Sequence, residues 1–296
     1  MSTTDKKLKF AIFGNVYQAK KSASIQKILS ILNERGAEVV FDREFYQFLV
    51  ENQRLNVTAD GVFDGDDFDA DIVISMGGDG TFLKAASHVG SKNIPVMGVN
   101  MGRLGFLADV NPVSIERAFK SIYNNDFRTE RHAVIEVKSD GDWHTACPYA
   151  LNDIAVLKRD DASMISIRAS VNGEYVVTYR ADGLVISTPT GSTAYSLSNG
   201  GPIVAPQASV LCLTPVAPHS LNVRPIVIPD NAEITISVES RNHNFLVAVD
   251  GRSERCDEGQ TLTIRRAPYD IQIVKRRGHK YFSTLREKMM WGADTR

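Results

Sequence analysis

Three cysteines in 296 residues, Cys147, Cys212 and Cys256, are too few and too scattered for a disulfide framework or a zinc site. An odd, sparse count fits a reducing cytoplasm, so a cytoplasmic location is expected. No apolar run reaches the roughly 18 residues of a membrane-spanning helix. The leading stretch Met1–Lys7 has no apolar core of the kind a secretion signal carries, so export is not expected. Charge of one sign is not in excess: 34 Lys and Arg stand against 35 Asp and Glu, which gives no case for nucleic acid or an anionic membrane as partner. Internal repeats and low-complexity tracts are also lacking.

What is present is long enough for about two domains, and one stretch organises it. Ala70–Met76 is a short, β-branched, unalternating apolar run, the pattern of a strand buried on both faces. Gly77, Gly78, Asp79 and Gly80 then break it, and Thr81–Ser87 reads as the start of a helix. Strand, glycine turn and helix N-terminus together suit a phosphate, because glycines let the anion approach the backbone and the first helical N–H groups point at it. The loop fits neither G-x-x-x-x-G-K-[ST] nor G-x-G-x-x-G. Asp79 is the odd residue, since a carboxylate repels phosphate. It takes a proton, holds a metal, or caps the helix.

Upstream, Leu8–Gly14 reads as a buried strand. Ile25, Ile28, Leu29 and Leu32 mark one helical face closed by Gly36. Glu38–Phe41 is a strand and Phe45–Val50 a short helix. Asn56–Asp69, with five aspartates at no calcium-loop spacing, reads as a solvated loop. Downstream, Pro95–Val99 is another buried strand and runs into a second glycine-rich turn, Asn100–Leu107. Asn111-Pro112 opens a helix through Tyr123. Strands alternating with helices imply a parallel sheet with helices on both faces.

Near residue 127 the pattern changes to short strands: Val134–Val137, Thr145–Tyr149, Ile154–Lys158, Ile165–Val171, Tyr175–Tyr179, Ile226–Ile228, Glu233–Val238, Phe245–Val249, Thr261–Arg265 and Ile271–Val274. Turn signals such as Asn172-Gly173 separate them. An α/β domain over 1–126 followed by an all-β domain over 127–275 is therefore expected. The helix in 276–296, read at Ser283–Trp291, packs back on the first domain. Inside the β domain lies a dense stretch, Arg180–Pro202, in which Thr188–Thr193 is rich in hydroxyls and glycine. Such a loop either forms turns or binds sugar, base or phosphate. Its length and its mixture of Asp, Tyr and glycine favour binding.

The two glycine-rich stretches, Leu151-Asn152-Asp153, Asp182–Ser198 with Gly200-Gly201-Pro202, and Val249-Asp250-Gly251 occur in the order seen in bacterial NAD kinases, and the chain resembles that family over roughly residues 75–252. The Gly-Gly-Asp-Gly loop alone is shared with lipid kinases, whereas the long Thr-Pro-Thr-Gly-Ser-Thr-Ala-Tyr segment is specific. The resemblance implies a Rossmann-like α/β domain, a β-sandwich-like NAD-binding and oligomerisation domain, and an active site in the cleft between them. It implies transfer of the terminal phosphate of ATP to the 2′-hydroxyl of the adenosine ribose of NAD, yielding NADP and ADP.

By the same resemblance Asp79 accepts the proton of that hydroxyl, Gly77, Gly78 and Gly80 seat phosphates, and Lys84 matches a common basic position. Asn152 and Asp153 match an Asn-acidic pair that holds ribose hydroxyls, with Asp153 shorter than the frequent Glu. Arg180 and Asp182 match positions near the nicotinamide end. Thr193, Ala194, Tyr195, Ser196, Leu197 and Ser198 match the segment around the adenosine. Ser163, Ala217, Asp250 and Arg252 match further contacts. A divalent cation, Mg²⁺ or Mn²⁺, is expected to accompany ATP through substrate phosphates, with no metal site of protein side chains alone. A homodimer or homotetramer is expected. Two rivals stand beside this reading, a lipid kinase and a nucleotide-binding sensor without catalysis. The polar loop at 188–198 opposes the first and Asp79 the second.

Overall fold

The computed structural model describes residues 7–16, 22–102, 105–159, 163–278 and 280–290. Arg103 and Leu104 of the second glycine stretch, and Trp291, lie outside the described residues. Two compact units are present: unit one runs to Arg131 and resumes at Ile271, and unit two is His132–Asp270.

Unit one begins with β1 (Lys9–Gly14), α1 (Ser22–Glu34), β2 (Glu38–Asp42), α2 (Arg43–Gln47), β3 (Gly61–Phe63), β4 (Ile72–Gly77), α3 (Asp79–Val89), β5 (Val96–Asn100) and α4 (Ile115–Tyr123). The strands stand in the order β3-β2-β1-β4-β5 and pair in parallel. Their unalternating composition follows from cover on both faces. Ile25, Ile28 and Leu32 of α1 and Ile115, Phe119 and Ile122 of α4 join Phe10, Ile12, Ile74 and Met97 in one core. On the other face Phe82 of α3 lies over Gly98. Strand order reverses between β1 and β4, which opens a crevice at the carboxyl ends of the strands. Gly77 at the end of β4 is the register partner of Asn100 at the end of β5, so both glycine-rich stretches leave the sheet at that end.

Unit two contains β6 (Phe127–Ser139, begun in unit one), β7 (Tyr149–Ala150), β8 (Asp153–Leu157), β9 (Ile165–Val171), β10 (Glu174–Ala181), β11 (Gly183–Ser187), the single turn α5 (Tyr195–Ser198), β12 (Val210–Val216), β13 (Ile226–Pro229), β14 (Ile234–Glu239), β15 (Asn244–Val249), β16 (Arg252–Asp257) and the start of β17 (Thr261–Arg276). One sheet runs β10-β9-β14-β17, with β6 beside β17 and β7 beside β6; the other runs β13-β12-β11-β8-β15-β16. Ile167, Ile236 and Leu262 of the first share a core with Val156, Ile186, Leu213 and Phe245 of the second, which makes unit two a β-sandwich. The chain then returns to unit one with α6 (Tyr281–Met289).

Several segments differ from expectation. Asn56–Asp69 is not simply solvated: Gly61–Phe63 pairs with β2, and Asp60 accepts from the Val39 N–H at 2.8 Å. Asp64 takes Arg43 at 2.7 Å and Asp66 meets His88 at 2.6 Å, so these aspartates serve as local acceptors. Helix α3 starts at Asp79 rather than Thr81, because Gly78 adopts the extended N-cap conformation. Thr145–Pro148 is not strand. Pro148 has no N–H to give, and Cys147 N–H turns to the Thr145 hydroxyl at 3.3 Å. Thr261–Arg265 and Ile271–Val274 are one 16-residue strand. Its first part pairs antiparallel with β14, whereas Ile273 pairs in parallel with Val96 of β5. Ile271–Val274 thus belongs to unit one and not to the all-β portion. Strands β12 and β16 were not expected from the sequence at all.

Candidate active site

At the carboxyl end of β4, Asp79 is the first helical residue of α3, and Gly78 caps the helix without a side-chain hydrogen bond. The Asp79 carboxylate is therefore not a helix cap. It reaches the second glycine-rich stretch instead. Its Oδ1 accepts from the N–H groups of Leu107 at 3.1 Å and Ala108 at 3.0 Å, and its Oδ2 accepts from Phe106 N–H at 3.0 Å. Lys288 of α6 donates to the same Oδ2 at 3.2 Å, and its ammonium lies 4.3 Å from the centroid of the Phe106 ring. A β-carbon at Gly105 would stand 2.0 Å from Asp79 Oδ1, so only glycine lets the turn close on the carboxylate. Beyond the turn, Asp109 is held at 2.8 Å by the buried ammonium of Lys275. Gly77, Gly78, Asp79 and Gly80 thus come together with Phe106–Ala108 and Lys288. Lys84 does not join them: it donates to Glu44 at 2.6 Å and lies 3.5 Å from Asp42. Burial pulls the Lys84 pKa down, but Glu44 and Asp42 together carry it above its ordinary value.

In unit two a second carboxylate organises backbone. Asp250, in the positive-φ turn after β15, accepts from the N–H groups of Leu151 at 2.9 Å, Asn152 at 2.8 Å and Asp153 at 3.1 Å. That brace presents Asn152, whose side-chain amide has no hydrogen bond among the described residues, and the buried Asp153. Burial first, and then the neighbouring Asp250 carboxylate, push the Asp153 pKa up to about 7, against the Tyr195 N–H that it accepts. Asp250 is raised by burial, opposed by its three N–H donors and by Arg252. Thr188 ties the hydroxyl-rich loop to the same place, its hydroxyl donating to Leu151 C=O at 2.6 Å. At Gly191 a β-carbon would meet Asn152 O at 2.0 Å, so the loop lies directly on the Asn152 backbone. Ser196 is buried against the Thr214 hydroxyl at 2.8 Å, which makes it a packing group. Thr193 donates back to Thr190 C=O at 3.3 Å. Ala194, Leu197 and Ser198 complete the turn, and Tyr195 is 38% exposed. Arg252 donates to Cys147 Sγ at 3.2 Å.

A further group gathers elsewhere in unit two. Asp182 pairs with Lys158 at 2.9 Å. Its N–H donates to Val216 C=O, and His219 N–H donates to Arg180 C=O, so the positive-φ Ala217 turn lies across from Arg180–Asp182. Ser163 stands two residues before Ile165, the register partner of Ala181. Asp153 pairs with Ser187 and Leu157 with Gly183, so these two groups sit at opposite ends of the β8–β11 pair, about 13 Å apart along the strands. Among the described residues no three acidic, histidine or cysteine side chains converge as a metal site. Sequence reasoning missed Lys288 and Lys158. Neither carries a local signal, and Lys288 is separated from Asp79 by 209 residues.

A doubly wound sheet with glycine-rich turns and a braced carboxylate at its switch point, joined to a β-sandwich with a hydroxyl-rich loop, defines the class as an α/β phosphotransferase with an appended β domain. Comparison with known proteins narrows it. Residues 10–127 match the ATP-NAD kinase N-terminal domain and residues 151–276 the ATP-NAD kinase C-terminal domain. The NAD kinase of Bacteroides fragilis is 59% identical over 289 residues, 98% of this chain and 100% of that protein. The NAD kinase of Porphyromonas gingivalis is 42% identical over 288 residues, 97% of this chain and 99% of that protein. The crystal structure of an NAD kinase from Archaeoglobus fulgidus in complex with ATP aligns with TM-score 0.73 and 27% identity, covering 96% of this chain and 99% of that one. Yeast NADH kinase complexed with NADH shares the fold, with TM-score 0.88 at 21% identity over 99% of this chain and 90% of that one. The chain belongs to the ATP-NAD kinase family. It is an enzyme, a kinase of NAD.

Proposed function

We propose that the chain moves the terminal phosphate of ATP to the 2′-hydroxyl of the adenosine ribose of NAD, with Asp79 as proton acceptor. The observation that supports this most is the Asp79 carboxylate itself, fixed at the switch point by three backbone N–H groups. A ribose hydroxyl is a poor nucleophile, and a fixed carboxylate within hydrogen-bond reach is what it lacks. In the step, the ribose O–H bond breaks toward Asp79, the oxygen forms its bond to the terminal phosphorus, and the bond from that phosphorus to ADP breaks. Gly77, Gly78 and Gly80 leave the backbone open for phosphate oxygens. Asn152, Asp153 and the Thr193–Ser198 segment hold the adenosine end. Asp250 acts behind them by setting the 151–153 backbone. Ser163, Arg180, Asp182, Ala217 and Arg252 are the remaining contacts of this reading. Lys84, tied to Glu44 and Asp42, leaves the phosphate charge to other groups.

A divalent cation, Mg²⁺ or Mn²⁺, belongs to this reading as a companion of the substrate phosphates, for which the backbone at Gly78 and Gly80 is open. Bound there it would supply positive charge that offsets the phosphate charge. A homodimer or homotetramer through unit two is part of the same reading. The edge strands β10 and β13 expose Tyr175, Val176 and Val227. A fully active monomer by light scattering would oppose it. Among the described residues no helix is long and apolar enough to cross a membrane. The free Cys147, Cys212 and Cys256 suit a reducing cytoplasm. Offering the protein ATP with NAD, and separately with diacylglycerol, tests the reaction. NADP forms in the first mixture and no phospholipid in the second; the reverse overturns the proposal.

A further inference from the structure

Among the described residues Asp79 has four donors for its four lone-pair positions. Three are backbone N–H groups fixed in the Phe106–Ala108 turn, and the fourth is the Lys288 ammonium. An ionised carboxylate offers about four acceptor positions in all. A substrate hydroxyl reaches Asp79 only by taking one of them. The turn cannot yield an N–H without unpacking, because Gly105 already lies against Oδ1 and Asp109 is anchored by buried Lys275. Lys288 can yield. Its charge is on a flexible four-carbon stem, its side chain is 29% exposed, and the Phe106 ring beneath it gives the ammonium a second resting contact.

We propose that Lys288 is the positioning residue of the phosphoryl-transfer step: it occupies the Oδ2 position that the acceptor hydroxyl takes over. The proposal rests on the reading of Asp79 as proton acceptor. Before substrate arrives, Lys288 satisfies Oδ2 and keeps the carboxylate aimed. When the hydroxyl takes that place and its proton passes to Oδ2, Asp79 loses its negative charge and the ion pair ends. The ammonium then rests on its second contact, the Phe106 ring.

The test is a double-mutant cycle on the full-length protein, measuring kcat and KM for Lys288→Met, Lys288→Arg, Asp79→Asn and Lys288→Met with Asp79→Asn. Lys288→Met is expected to lower kcat at least tenfold with KM for NAD within twofold, and Lys288→Arg to recover most of the loss. In the Asp79→Asn background the Met substitution is expected to change kcat by less than twofold, because no proton transfer remains for it to assist. A purely structural α6 contact would cost the same factor in both backgrounds, and that result overturns the proposal. So does a Lys288→Met enzyme within twofold of wild-type kcat while Asp79→Asn is strongly impaired. If Asp79→Asn itself keeps wild-type turnover, the proton-acceptor reading has failed and the Lys288 proposal falls with it.

Discussion

Replacing Asp79 by Asn separates the two tasks of that carboxylate, bracing a turn and taking a proton. Asp79 Oδ1 accepts from Leu107 and Ala108, and Oδ2 from Phe106 and Lys288. An amide keeps only one oxygen. Placed at the Oδ1 position, that oxygen retains Leu107 and Ala108 and turns an NH₂ against the Phe106 N–H; the partly exposed Lys288 swings to water. Flipped, it orphans two backbone donors. The first orientation is cheaper and leaves one N–H without a partner, a loss of about 1–3 kcal/mol. For a protein of this size that lowers Tm by roughly 2–5 °C. Asp79→Ala strands all three N–H groups and should lower Tm further. Turnover of the Asn variant should fall by roughly 10²–10⁴, the usual share of a general base. Calorimetry and steady-state kinetics on both variants read these effects separately. An Asn variant that melts with wild type refutes the brace, and one that turns over within a few-fold of wild type refutes the base.

Asn152→Ala should raise KM for NAD more than KM for ATP, by roughly tenfold for the loss of about 1–3 kcal/mol of hydrogen bonding; equal changes in the two constants would count against its place at the acceptor. Activity should vanish with a chelator and return with Mg²⁺ or Mn²⁺, while dialysed, substrate-free protein should show no stoichiometric metal by elemental analysis. Asp153, whose pKa is raised to about 7, binds its proton more tightly folded than unfolded. Its protonation therefore favours the fold at low pH, and that contribution is lost as pH rises from about 4 to 7, by roughly 4 kcal/mol in all. Asp153→Asn keeps the acceptor for Tyr195 N–H without the charge, so melts should show it gaining over wild type at pH 8 and not at pH 4.

The parts of the fold that were legible in the sequence share a property: their state follows from their own residues. Ile72–Gly77 is apolar without alternation because both faces are covered, and the glycines after it mark the strand end where Asp79 sits. Asn172-Gly173 has positive φ at both positions, as a tight hairpin turn requires. What escaped depends on partners distant in the chain. In Arg252–Asp257 only Cys256 is buried, and the segment is a strand because β15 pairs with it along its whole length. Val210–Val216 carries Pro215 within it and Pro218 just beyond, which hides its strand character, yet five of its residues are buried between β11 and β13. The helix cap offered for Asp79 was sound local reasoning, but a turn 27–29 residues away and a lysine of α6 claim the carboxylate first. Asn152 and Asp153 could be singled out from sequence. That Asp250 holds their backbone could not, since the contact spans 97–99 residues.

The position of the transferred phosphate decides whether the chain phosphorylates the adenosine ribose of NAD. Purified protein is incubated with ATP, NAD and Mg²⁺, and the product is examined by ³¹P NMR alongside the ADP released. One new phosphomonoester is expected on the 2′-oxygen of the adenosine ribose, formed in equal amount with ADP. ADP release without that phosphomonoester, or a phosphate on any other hydroxyl of NAD, would contradict that expectation.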